Sequence, residues 1–171
     1  MAEKHYNVLF LSNRNTARSI IAEAVMNRIG RGNFSGFSAG MQPGERIDPL
    51  VLEILDRTQY PREGLHPKHW TEFTQAGAPA LDFVFTLCDP AAGEQLPRWP
   101  GRPVTADWHY PEPEILTGAT LERRNELTAI LRGLERQLLA FMQLPFEKLD
   151  AISLRERLRD MGRAATNGVD R

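Results

Sequence analysis

NVLFLSNRNTARS, residues 7–19, is the stretch on which the fold turns. Val8 to Leu11 is an uninterrupted apolar run, the pattern of a parallel strand covered on both faces. It stops abruptly at Ser12. After the polar segment through Arg18, Ile20, Ile21, Ala24, Val25 and Ile29 recur at helical spacing until Gly30 and Gly32 end them. The order is strand, polar loop, helix. In an open parallel sheet, ligands collect beyond the carboxyl ends of the strands, where this loop lies. Backbone N–H groups at such a turn, with the helix dipole behind them, favour an anion. Arg18 at the helix mouth adds a planar fork suited to the oxygens of a phosphate-like group. The loop is thus a candidate oxyanion cradle. Polar strand-to-helix loops also serve as plain connections with a solvated arginine, and the pattern alone leaves both readings open.

Working outward, the alternation repeats. Phe34 to Ser38 reads as a second short strand, and Asp48-Pro49 supplies an N-cap followed by proline at the first helical position ahead of LVLEIL. Leu81 to Cys88 is the strongest strand signal, and Val104 to Trp108 a weaker fourth after the turn-forming WPGRP. A long helix is expected from about Leu121 to Met142, with Leu127, Ile130, Leu131, Leu134, Leu138 and Met142 on its apolar face and its arginines on the wet one. Ser153-Leu154-Arg155-Glu156 has the form of a capping box opening a short C-terminal helix, after which ATNGVDR reads as frayed. Strands alternating with helices imply an α/β fold with a parallel sheet and right-handed crossovers. The chain reads as one domain over 1–171, with 144–171 as a C-terminal extension.

Composition narrows the function classes. The chain has 171 residues, 42% hydrophobic and 25% charged, the profile of a globular domain able to bury a core without disulfides or metals. Lys+Arg number 21 against 22 Asp+Glu, so no whole-protein field points to nucleic acid or an acidic membrane. Cys88 is the only cysteine, a free thiol that suits a reducing compartment, and neither a signal peptide nor a membrane span is read; the expected location is the cytoplasm. At its strand end Cys88 reads as a packed rather than a reactive thiol. His5, His66, His69 and His109 are scattered without HExxH spacing, and the GxGxxG and GxxxxGK[ST] signatures are missing, so no metal or cofactor is expected. Trp70, Trp99 and Trp108 either line the mouth of the site or pack in the core or its rim.

Ser12 and Arg18 are separated by five residues, Asn15 lies between them and Ser19 follows, an arrangement that resembles the C-x5-R-S phosphate loop of low-molecular-weight protein tyrosine phosphatases. SAG at 38–40, FVFTLCDPAAGE at 83–94, WPG at 99–101 and DWHYPEP at 107–113 carry the likeness along roughly residues 6–145, and within the superfamily they look most like the thioredoxin-coupled arsenate reductases. The resemblance implies a three-layer sandwich in which a four-stranded parallel sheet lies between helices. It also implies an oxyanion site formed by Asn13, Arg14, Asn15, Thr16, Ala17, Arg18 and Ser19.

Departures from the family pattern bear on mechanism. Family members carry a nucleophilic cysteine where Ser12 stands, and a serine hydroxyl without an adjacent base stays protonated and attacks poorly. Leu96 replaces a second relay cysteine, so a three-thiol relay cannot be completed. Glu112 stands where the family has its general-acid aspartate. Arg14 replaces a usual glycine, either straining a loop that needs positive φ or bringing a second cation. The expected protein binds phosphate, arsenate, sulfate or a phosphorylated protein and turns it over poorly. Two alternatives are a phosphatase using Ser12 or water with Glu112 as acid, and an interaction module with a vestigial pocket that docks a protein or a second copy of itself.

Overall fold

The computed structural model describes residues 4–88, 97–111 and 120–169. The expected alternation is present. Strands β1 (Tyr6–Ser12), β2 (Phe34–Gly40), β3 (Phe83–Thr86) and β4 (Val104–Asp107) form one parallel sheet in the order β2-β1-β3-β4. Helices α1 (Arg18–Ile29), α2 (Pro49–Arg57), α3 (Thr120–Met142) and α4 (Ala151–Val169) complete a three-layer α/β sandwich.

The apolar run of β1 is continuous because both sides of this central strand are covered. Val8 and Phe10 lie in register with Phe83 and Phe85 on the face that packs against α1, α3 and α4. Leu9, Leu11 and Val84 face the other way, under Phe73, Leu81 and Trp99. Phe141 of α3 meets Phe83 and Phe85 edge-on at 5.0 and 5.2 Å between ring centroids, and Trp108 stacks on Phe85 at 3.9 Å. A fully buried ring with this many partners leaves a cavity when truncated. Phe141→Ala is expected to lower unfolding free energy by about 3–5 kcal/mol, read from urea denaturation with an unchanged slope.

Several boundaries differ from those expected. β3 has only four residues, and Leu81, Leu87 and Cys88 are buried as flanking segments, with the Leu87 N–H still bonded to the Leu11 carbonyl at 2.8 Å. β4 ends at Asp107, before Trp108. The C-terminal helix is not short. It begins at Ala151 because Asp150, three residues ahead of Ser153, accepts the Ser153 N–H at 2.7 Å and takes the cap position from it. That bond holds the Asp150 carboxyl below its ordinary range. The helix runs on to Val169, through most of the tail read as frayed. Nor are all the arginines of α3 a wet face: Arg123 bonds Asp48, the cap of α2, and Arg124 bonds Glu53 at 3.0 Å, tying α3 to α2.

Candidate oxyanion site

β1 ends at Ser12 opposite Gly40, the last residue of β2. The loop that follows is shaped from outside. Backbone N–H groups of the segment after β2 take its carbonyls one by one: Met41 bonds Ser12 (3.2 Å), Gln42 bonds Asn13 (2.8 Å), Gly44 bonds Arg14 (2.9 Å) and Asp48 bonds Thr16 (3.1 Å). In a trans peptide the next residue's N–H points opposite the carbonyl. Pinning these oxygens outward therefore turns the N–H groups of Asn13, Arg14, Asn15 and Ala17 toward the concave side. The Asn15 N–H shows this direction by donating to Ser12 Oγ at 3.1 Å.

Two glycines permit the close approach. A Cβ at Gly40 would lie 3.0 Å from the Asn13 carbonyl oxygen, and one at Gly44 would lie 2.7 Å from Thr16 Cγ2. Gly40 closes the SAG motif at 38–40 that carries part of the family likeness. Nothing in the sequence marked the second.

Asn15 carries the strain of the turn, with φ of 55°. Its side chain fixes that conformation, donating to Ser19 Oγ at 2.7 Å and accepting the Lys68 N–H at 3.0 Å. Arg14 does not take a positive φ, so the expected strain at that position is overturned. Its guanidinium lies 3.6 Å from where a Gly44 Cβ would be, beside a cavity of about 590 Å³ lined by charges of both signs, Glu45, Arg46 and the Asp48–Arg123 pair. That is the side of the loop to which its carbonyls point, so neither of the two roles expected of Arg14 is seen at the concave face.

Ser12, Asn15, Thr16, Ala17, Arg18 and Ser19 are all buried, whereas Asn13 is half-buried and Arg14 exposed. Ser12 Oγ sits 2.5 Å from Ser19 Oγ. Among the described residues its hydrogen-bond partners are that hydroxyl and the Asn15 N–H, neither of which is a base. Arg18 donates from Nη1 to the Tyr110 carbonyl at 3.0 Å. Helix α1 starts at this arginine with no side-chain cap and no acidic residue in its first turn, leaving its positive end to the loop. Glu112 and Leu96 lie outside the described residues. Cys88 is buried two residues past the end of β3. Trp108 belongs to the core, Trp99 is buried in the smaller cluster, and Trp70 is half-buried against Trp99 at 6.1 Å.

One feature behind the loop had no sequence signal. Glu23 of α1 is buried and Lys68 half-buried, 4.0 Å apart, and Lys68 Nζ also donates to the carbonyls of Ser38 (3.1 Å) and His66 (2.8 Å). Burial pushes the Glu23 carboxyl up and the Lys68 ammonium down, each partner opposing the shift of the other. Glu23 Oε2 and Ser38 Oγ make no hydrogen bond among the described residues.

The fold defines a class: parallel α/β domains whose first strand feeds a backbone-lined loop at a helix mouth. Residues 7–150 match the model of the low molecular weight phosphotyrosine protein phosphatases, and the chain belongs to that family. The structure of the Corynebacterium glutamicum thioredoxin-dependent arsenate reductase is similar at 28% identity and a TM-score of 0.55, over 82% of this chain and 65% of that one. An arsenate reductase from Archaeoglobus fulgidus is 26% identical, with a TM-score of 0.58, over 75% of this chain and 96% of that one. A further arsenate reductase, in its phosphate-binding state, shares the fold at 22% identity and a TM-score of 0.61, over 79% and 98% of the two chains. No curated protein matches the sequence. Among the described residues, no helix is long and apolar enough to cross a membrane.

Proposed function

We propose that the loop from Ser12 to Ser19 binds a tetrahedral oxyanion (phosphate, arsenate, sulfate or the phosphate of a modified protein) and that the protein, working in the cytoplasm, turns it over poorly or not at all. The observation that carries this reading is the outward pinning of four loop carbonyls by the 41–48 segment, which leaves a concave row of N–H dipoles. Arg18 supplies charge beside them. Ser12 lies beneath the anion, its hydroxyl engaged with Ser19 and Asn15, and does not attack. The arsenate reductase branch is favoured by the neighbours of 26 and 28% identity. With Cys88 as the single thiol, reduction by an internal thiol relay is not part of the function.

Phosphate at a hundredfold excess over its dissociation constant should stabilise the protein by about 2.7 kcal/mol. Scanning calorimetry with and without the anion reads this. Arg18→Lys keeps the charge but loses the planar fork, and most of the stabilisation should go with it. No response of the wild type to millimolar phosphate would refute the anion reading and favour the interaction module.

A further inference from the structure

Among the described residues, Gln137 is the only uncharged polar side chain buried on α3, and its amide is used at both ends. Its Oε1 accepts the Tyr110 hydroxyl at 2.5 Å, and its Nε2 donates to the Met161 carbonyl of α4 at 3.3 Å. Tyr110 in turn presents its carbonyl to Arg18 Nη1. A continuous line of hydrogen bonds thus runs from the C-terminal helix through α3 and Tyr110 to the arginine of the loop. The whole of α4 lies beyond residue 150, where the family match ends.

The packing along this line is close. Gly133 seats the Tyr110 ring on α3, where a Cβ would stand 3.2 Å from Tyr110 Cε1. Gly162 lets α4 touch the end of β4, where a Cβ would stand 2.6 Å from the Asp107 carbonyl oxygen. The Trp108 indole N–H closes the same contact on the Leu158 carbonyl at 2.9 Å. Tyr110 is held from the backbone side as well, its N–H bonded to the Leu87 carbonyl at 2.9 Å. With backbone and ring both fixed, the Tyr110 carbonyl is a rigid acceptor, and a planar guanidinium bonded to it has its rotation set.

We propose that Gln137 is a positioning residue for the anion loop: it clamps Tyr110 to α4 and so holds the carbonyl that orients the Arg18 fork. The inference rests on the anion reading of that loop. An arginine whose Tyr110 acceptor has shifted must be re-aimed by the incoming anion, and affinity falls by that ordering.

The test is phosphate affinity by titration calorimetry together with melting temperature, for wild type, Gln137→Met, Tyr110→Phe and the double variant. Each single change orphans one buried polar atom and lowers the melting temperature, whereas the double change leaves an apolar contact that recovers part of it. Affinity should behave differently. It should weaken about fivefold in each single variant and stay about fivefold weaker, not multiplied, in the double. A purely structural Gln137 predicts wild-type affinity in every variant that folds, and that result overturns the proposal while the anion site stands. If a single variant does not fold, the apolar double variant decides by the same criterion. Failure of the wild type to bind phosphate overturns both readings.

Discussion

Ser12→Cys should hydrolyse an aryl phosphate at least about a thousandfold faster than the wild type, since removing a catalytic nucleophile costs rate factors of this order or more. The loop already presents what a thiolate needs. The Asn15 N–H lies 3.1 Å from the Ser12 oxygen and Ser19 Oγ 2.5 Å from it. These donors, with the open end of α1, depress a thiol pKa toward the anionic form at neutral pH. A serine hydroxyl starts too high for the same environment to ionise it. A stopped assay with a chromogenic phosphate, run beside calorimetric phosphate binding, separates the outcomes. A cysteine variant that binds phosphate but stays inert would show that Arg14, or the glutamate at 112, has altered the geometry beyond the lost sulfur.

Lys68→Met should destabilise the protein by about 3–5 kcal/mol at neutral pH, because the Glu23 carboxylate would then be buried without its cation. The loss should depend on pH with a definite sign. The Glu23 carboxyl is already raised above its ordinary value by burial, and losing Lys68 raises it further. A carboxyl raised on folding contributes stability below its unfolded value and loses that contribution as pH climbs through its folded value. The variant should therefore be closest to wild type near the ordinary carboxyl range and fall away as pH rises toward neutrality. Lys68 carries the opposite sign in the native protein: lowered on folding, its contribution is present above the ordinary lysine value and is lost as pH falls through the folded one. Both shifts oppose the charged pair near neutral pH. Glu23→Gln combined with Lys68→Met should accordingly recover most of the loss, to within about 1 kcal/mol of wild type. Urea unfolding of the three proteins between pH 5 and 8 reads the pattern, and a flat profile for Lys68→Met would contradict it.

Sequence reading reached the elements whose signals are local. The strand at Val8 to Leu11 and the helix after Arg18 follow from a continuous apolar run and a 3.6-residue period, and Asp48 caps α2 as the Asp-Pro pair implied. The position of the loop followed from topology, since a parallel sheet sends the end of β1 to its ligand edge. What escaped depends on pairing across the fold. Glu23 and Lys68 are charged, so residue type alone puts them in water, yet Glu23 is buried and Lys68 half-buried because each has the other beside it. Gln137 falls on the apolar stripe of α3 with Ile130, Leu134 and Phe141, and what a polar group does there shows only when Tyr110 and Met161 are placed around it. The capping box at Ser153 misled because Asp150 competes for the same amide one turn earlier. At Arg14 the alternative of strain came from its standing where the family usually has glycine, whereas the left-handed turn falls on Asn15, whose side chain has partners to hold it.

Oxygen in place of sulfur at position 12 also changes what the loop can suffer. A thiolate cradled by N–H dipoles is easily converted to sulfenic acid or capped by glutathione, so peroxide can silence a phosphatase built on one. Ser12 has no such ladder to climb, and the chain's one thiol, Cys88, is buried just past a strand end. An anion held here would stay held through an oxidative burst.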